Sequence, residues 1–101
     1  MPRIESPKTY VWEGKGNRYW YRAKWTVYWK IEDHETPPKE MESGLGNVTR
    51  NTDTRSDTFN RWFGSVQIVS NRRLTVVKSD PMFTKEDAMA WVEVVERMNR
   101  G

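Results

Sequence analysis

Aromatic and cationic side chains alternate with apolar ones along residues 19–31, in a spacing that could place two kinds of binding group on one surface. Trp20, Arg22, Lys24, Tyr28 and Lys30 all occupy even positions. Arginine and lysine pair with phosphates and other anions, while tryptophan and tyrosine rings stack on flat ligands. The same residue types are enriched at protein–protein interfaces, so composition alone does not separate a nucleic acid from an acidic protein surface.

A long β-strand is the element that would position these side chains. The odd positions from Tyr19 to Ile31 are all apolar or aromatic, whereas the even positions are mostly basic or polar. Strand side chains point alternately to opposite faces of a sheet, so this pattern predicts one half-buried strand over residues 18–31. Its odd face would join the core and its even face would stay outside.

Shorter strands are predicted on either side of a region that is poor in apolar residues. Alternation and turn residues place strands at residues 9–13, near residues 59–68 and at residues 73–79. Residues 32–58 carry Pro37 and Pro38, several glycines and few large apolar side chains, which favours a mobile surface loop. An alternative is an arm that becomes ordered on a partner through Arg50 and Arg55.

The chain ends in a predicted amphipathic helix that begins after Thr84. Thr84 is a favourable N-cap, and Asp87 stands three residues later, where a capping-box acid belongs. An apolar stripe then recurs at helical spacing. The stripe consists of Ala88, Trp91, Val95 and Met98.

These elements predict an α+β fold with the order β-β-loop-β-β-α in a single domain, residues 1–101. The sheet would be a small antiparallel one of three to four strands, with the C-terminal helix packed on one face. One helix can cover only one face, so the other face must meet solvent or a partner. The helix stripe would meet the odd face of the long strand together with Trp62, Val66, Leu74 and Val76. The uncovered face would present the predicted site residues Trp20, Arg22, Lys24, Tyr28, Lys30, Arg61, Phe63 and Arg73.

Residues 83–95, a threonine cap followed by an amphipathic helix, resemble the entry to the helix in integrase arm-binding domains. Those domains place one helix after three strands and read DNA with the sheet, so the resemblance implies a DNA-binding sheet. It covers only the last part of the chain. The small size and the high aromatic content also resemble phage-encoded accessory proteins, some of which bind and inhibit a host enzyme or defence complex.

Several classes of chemistry find no support in the sequence. The chain has no cysteine, which excludes disulfides, thiolate zinc sites and thiol catalysis. His34 is the only histidine, and its acidic neighbours in a polar segment favour a solvated turn over a metal site. There is no P-loop or nucleophile-elbow motif. We therefore expect a protein that is not an enzyme and has no cofactor or metal. The lack of a long apolar stretch and of a secretory signal favours a cytoplasmic, intracellular location without a membrane partner.

Positive charge is concentrated in the first part of the chain, which favours a protein that binds an anionic partner. Residues 1–31 hold seven Lys or Arg against two acids, a local charge of +5, although the whole chain carries only +3. The favoured hypothesis is a non-enzymatic binding protein that engages DNA or RNA through the basic, aromatic sheet face. The alternative is a small phage-type accessory protein that binds and inhibits a host protein or defence complex. A homo-oligomer that hides the aromatic face is a further possibility.

Overall fold

The computed structural model describes residues 3–31, 34–35 and 37–100, without the side chains of residues 30, 31, 34 and 35. Within these residues the chain forms strands followed by one C-terminal helix. The elements are β1 (Arg3–Glu5), β2 (Thr9–Lys15), β3 (Arg18–Ile31), β4 (His34–Glu35), β5 (Lys39–Arg50), β6 (Trp62–Ser70), β7 (Arg73–Lys78) and α1 (Lys85–Arg100).

The strands form an antiparallel sheet that follows the order of the chain from β3 through β5 and β6 to β7. β1 and β2 pair with consecutive stretches of one edge of β3, and β5 pairs with its other edge. β6 and β7 follow in order, so that β7 is the last strand of the sheet. The two-residue β4 pairs only with the end of β3. An α+β architecture with one C-terminal helix on an antiparallel sheet is thus confirmed, but six described strands build the main sheet instead of three to four.

The long strand β3 is confirmed, whereas the predicted loop over residues 32–58 is wrong for the part that forms β5. Residues 39–50 lie between β3 and β6 as a central strand. A bulge at Leu45 shifts the register, because Tyr21 pairs with Gly46 while Arg22 pairs with Gly44. Because of its glycines and its shifted alternation, the sequence of β5 lacks the regular odd–even pattern that predicts a strand. Non-strand backbone remains at residues 51–61.

A tight turn fixes the register of β6 and β7. Asn71 and Arg72 both have positive φ angles, of 49° and 64°, as in a two-residue type I′ hairpin turn. The turn pairs Ser70 with Arg73, so Val77 comes to lie opposite the buried Val66. The prediction that Leu74 and Val76 join the helix stripe is therefore wrong. Both side chains are exposed on the face away from the helix.

Helix α1 begins where the sequence predicts it and packs on β5 and β6. The backbone N–H of Asp87 donates to the Thr84 hydroxyl at 3.0 Å, which satisfies one of the free donors of the first turn. Val92 is completely buried against the sheet beside Gly46 and Gly64. Each glycine lacks the β-carbon that would otherwise meet the Val92 side chain. The glycines on two neighbouring strands thus allow the helix to approach the sheet closely.

The second half of α1 lies over a cluster of tyrosine and tryptophan rings. The Trp12 and Tyr21 ring centroids are 4.8 Å apart, and the Trp12 indole N–H donates to Glu93 at 3.0 Å. Glu96 is buried and pairs with Arg100 at 2.9 Å. Burial, together with the nearby Glu96 and Glu93 carboxylates, raises the pKa of Tyr21 above its ordinary value of 10.0. The hydrogen bond between Trp12 and Glu93 therefore connects this part of the helix to β2.

The apolar stripe on α1 is shorter than the sequence predicts. Ala88 and Val92 are completely buried, and Trp91 and Val95 pack against the core. Met98 is 75% exposed, so the prediction that it joins the core is wrong. The stripe ends near the C-terminus of the helix because the buried Glu96 occupies the inward position there.

The helix is too short to cover the full length of β3. At 1.5 Å per residue α1 spans about 24 Å, whereas the fourteen residues of β3 span about 46 Å. Rings on the helix side of the far half of β3 are covered by cations instead. Arg3 lies 5.3 Å from the Trp29 ring centroid and Lys8 lies 4.9 Å from that of Trp25. The sheet therefore extends beyond the helix, consistent with the overall dimensions of 63 × 31 × 18 Å.

The contact between Gly64 and the helix predicts a stability defect in Gly64→Ala. An added β-carbon would lie 2.7 Å from a Trp91 ring carbon and 3.0 Å from a Val92 methyl, closer than van der Waals contact permits. We expect a loss of about 1–3 kcal/mol in the free energy of unfolding, measured by urea denaturation. Gly44→Ala is the matched control, because no atom lies within 4 Å of its added β-carbon. Equal stability of the two variants would contradict this packing.

Candidate ligand-binding face

Two adjacent rows of side chains cross the sheet face that α1 leaves uncovered. Register places Trp20, Asn47, Ser65 and Lys78 directly opposite one another on four successive strands. The neighbouring row consists of Arg18, Thr49 and Phe63. At roughly 4.8 Å between strands, the backbones of β3 and β7 are about 14 Å apart along the first row. From β3 onward each row begins and ends with a ring and a cation and has polar side chains between them. On β2 the rows continue with Glu13 opposite Trp20 and Lys15 opposite Arg18.

A shallow groove of about 490 Å³ lies over these rows, next to β5 and β6. Its lining contains two cations, one aromatic ring, amide and hydroxyl side chains, and no carboxylate. The lining residues are Arg18, Asn47, Thr49, Asn51, Phe63, Gly64, Ser65 and Lys78. Trp20 stands beside the groove with 38% of its surface exposed, and the Arg18 guanidinium lies 5.0 Å from its ring centroid. The groove therefore combines donors for anions with flat apolar surfaces.

The predicted basic row of β3 lies on the same face, but carboxylates neutralise its described members. Arg22 pairs with Glu42 at 3.1 Å, and Lys24 pairs with Glu13. The hydrogen bond from Lys24 lowers the pKa of the Glu13 carboxyl below its ordinary value of 4.5. The same bond raises the pKa of Lys24 above 10.5. These paired cations offer less attraction to an anion than the acid-free groove does.

The remaining predicted site residues do not converge on the groove. Tyr28 is 48% exposed on the uncovered face, but it lies on the far half of β3, opposite Ile4 of β1. The Arg61 guanidinium lies 4.1 Å from the Phe83 ring centroid, just before β6 begins. Arg73 shares the parity of Val77, so its register position is on the helix side of the sheet, contrary to prediction. The side chain of Lys30 falls outside the described part of the structure.

Five residues of the two rows are absent from the predicted site. Arg18 has the same parity as Trp20, so the alternation could have included it. Asn47 and Thr49 stand in the segment interpreted as a loop, which removed them from consideration. Ser65 has the parity of Phe63, but its hydroxyl is no strong signal by itself. Lys78 has the parity of Leu74 and Val76, which the sequence predicts on the covered face, because the register of β7 depends on its turn.

Neither a metal-binding cluster nor a membrane-spanning helix occurs among the residues that the structure describes. No group of three or more His, Asp or Glu side chains within residues 3–31, 34–35 and 37–100 could hold an ion. In the same ranges, α1 is too short and too polar to cross a lipid bilayer. Searches of protein-family models, curated proteins and solved structures return no match to this chain.

The ion pair between Glu13 and Lys24 predicts a pH-dependent behaviour that can be measured. The folded-state pKa of Glu13 is lowered, so its contribution to stability is present above pH 4.5 and disappears as the pH falls through the folded-state value. We expect the Glu13 carboxyl to titrate below 4.5 in a carbon-detected NMR titration. Lys24→Gln should return the pKa toward 4.5. An unchanged titration in Lys24→Gln would show that the pair does not form in solution.

Proposed function

We propose that this protein binds single-stranded nucleic acid in the groove on its uncovered sheet face, without catalysing a reaction. Arg18 and Lys78 would contact phosphates, and Trp20 and Phe63 would stack on bases. The hydroxyl and amide groups of Thr49, Ser65 and Asn47 would donate to phosphate or base oxygens. DNA and RNA both present these groups.

The observation that carries the proposal is the acid-free lining of the groove. Cations and rings occur together on many protein surfaces, but here Glu13, which lies opposite Trp20, and Glu42 stand outside the groove lining, where they pair with Lys24 and Arg22. A polyanion would thus meet attraction over the groove and partial repulsion beyond it. This arrangement supports a short site next to β5 and β6 in preference to the whole length of β3.

The aromatic rings favour a single strand over a duplex. Trp20 and Phe63 stand on the two different rows, separated by β5, so each ring could meet a different base. Bases in a duplex are already stacked on one another and cannot lie flat on a protein ring. An antiparallel sheet with exposed rings and flanking cations is a known way to bind unpaired bases. Duplex binding would use only the two cations.

The first test removes the two groove cations. Arg18→Gln combined with Lys78→Gln should weaken binding of a fluorescein-labelled oligothymidine, measured by anisotropy at several salt concentrations. The slope of log affinity against log salt should become shallower by about 1.4, since each phosphate contact to a single strand contributes about 0.7.

The control for the charge test is Arg55→Gln combined with Arg97→Gln. This variant loses the same charge at exposed positions on the 51–61 loop and on α1 that do not line the groove. Its salt slope should equal that of the unmodified protein. The proposal fails if the unmodified protein shows no salt-dependent binding, or if both variants lose binding equally.

The second test removes the stacking rings. Trp20→Leu and Phe63→Leu should each weaken binding of the single strand by roughly 1–3 kcal/mol, the usual range for one lost stack. Affinity for the matching duplex should change little. Tyr28→Leu is the matched control, because Tyr28 is an exposed ring on the same face outside both rows. Equal losses on single strand and duplex, or equal losses in the control, would argue against stacking.

A further inference from the structure

The outer edge of β7 carries backbone hydrogen-bonding groups without a neighbouring strand among the described residues. The Ser79 N–H donates to the Gly64 carbonyl at 2.8 Å, so the odd residues of this strand direct their backbone groups toward β6. Backbone groups alternate in direction along a strand. Leu74, Val76 and Lys78 therefore direct their N–H and C=O groups away from the sheet. Such an edge is a template for another strand.

Apolar side chains stand beside these free backbone groups. Leu74 is 63% exposed, Val76 is 51% exposed and the cross-strand neighbour of Leu74, Val69, is 73% exposed. All three lie on the face that α1 does not cover. Native proteins often protect a free edge with charges, a proline or a bulge; β7 has no proline or bulge, and its charges, Arg73 and Lys78, stand only at its two ends. The edge is thus open both to hydrogen bonds and to apolar contacts.

The charged side chains of β7 and its turn are all positive. Residues 58–79 contain four cations and no acid, and Asp80 is the first acid after them. Arg72 and Arg73 stand at one end of β7 and Lys78 at the other, and the side chains of Arg73 and Lys78 are exposed. An extended segment with carboxylates at its ends and apolar residues at alternate positions between them complements this pattern.

We propose that β7 receives an extended, acidic segment of another protein as an additional strand of the sheet. The segment would bond to the outward N–H and C=O groups of Leu74 and Val76, and its apolar side chains would cover these two residues. Its terminal carboxylates would pair with the cations at both ends of β7. This docking edge goes beyond nucleic-acid binding, and only Lys78 belongs to both surfaces.

A second copy of the chain complements the edge less well. Pairing β7 with its own copy brings together two hairpins that each carry four cations and no acid over residues 58–79. When Leu74 lies opposite Val76 of the other copy, Arg72 lies opposite Lys78 at both ends. Like charges directly opposite one another destabilise a strand pair. Charge complementarity therefore favours an acidic segment.

The experiment uses the full chain and two synthetic peptides. The acidic probe is Glu-Thr-Val-Thr-Ile-Thr-Glu, which places its carboxylates and apolar residues on one face when extended. The basic probe is Lys-Thr-Val-Thr-Ile-Thr-Lys. We expect the acidic probe to bind at least about tenfold more tightly by isothermal titration calorimetry, because like charges oppose the basic one. Equal affinity for the two peptides, or no binding of the acidic one, overturns the proposal.

Val76→Pro tests the edge itself. Proline removes the outward N–H at this position but leaves the bonds to β6 intact, and edge strands tolerate it. The variant should lose acidic-peptide binding and keep oligothymidine binding, which separates this proposal from the groove. Val76→Thr, which retains the N–H, should still bind the peptide. Peptide binding that survives in Val76→Pro overturns the proposal.

Hydrogen exchange on the unmodified protein gives a readout that no folding defect can affect. The amides of Leu74 and Val76 should exchange quickly alone and slow on addition of the acidic peptide, while those of Thr75 and Val77 are already protected by β6. Unchanged exchange at saturating peptide contradicts the proposal. The Leu74 and Val76 amides could instead exchange slowly without peptide and faster on dilution, with a dimer in sedimentation. That result would identify the occupant of the edge as a second copy of the chain and would also overturn the proposal.

Discussion

The close contact of Val92 with Gly46 and Gly64 is the constraint on which the rest of the structure depends. Two neighbouring strands each carry a glycine at this place, and the Val92 side chain occupies the space that their β-carbons would fill. Because the described residues form only one helix, this contact also decides which face of the sheet stays uncovered. The side chains of β3 and β6 that point away from Val92 have no covering helix for this reason. The location of the candidate site is thus a consequence of core packing.

Charge is distributed along the uncovered face and not only across the molecule. Near β6 the groove lining offers cations, amides and hydroxyls, whereas around Arg22 and Lys24 of β3 the cations pair with carboxylates. A net charge of +3 gives no indication of this division. The field that an approaching ligand experiences therefore depends on its position along the long axis of the sheet.

Elements with a strict period were predictable from the sequence, and those whose alternation is interrupted were not. The perfect alternation of β3 and the Thr84 cap of α1 gave the long strand and the helix directly. β5 was missed because Gly44 and Gly46 lower its apparent strand propensity and the bulge at Leu45 resets its period. The faces of β7 were reversed, since apolar Leu74 and Val76 would be expected inside. The positive φ angles of Asn71 and Arg72, which impose the actual register, are not visible in a hydropathy pattern. The predicted site accordingly included Trp20 and Phe63 and omitted Asn47, Thr49 and Lys78.

The bulge at Leu45 reverses, within a single strand, whether the odd or the even residues face outward. On one side of it, odd residues such as Asn47 face outward; on the other side, even residues such as Glu42 do. With uninterrupted alternation, Met41 would point away from the helix side and Glu42 would point toward it, opposite Trp25. The extra residue thus keeps the apolar side chains of β5 inside and the acidic ones outside, although the odd–even pattern reverses at Leu45. A deletion of that single residue during evolution would exchange the acidic and apolar sides of this half of β5.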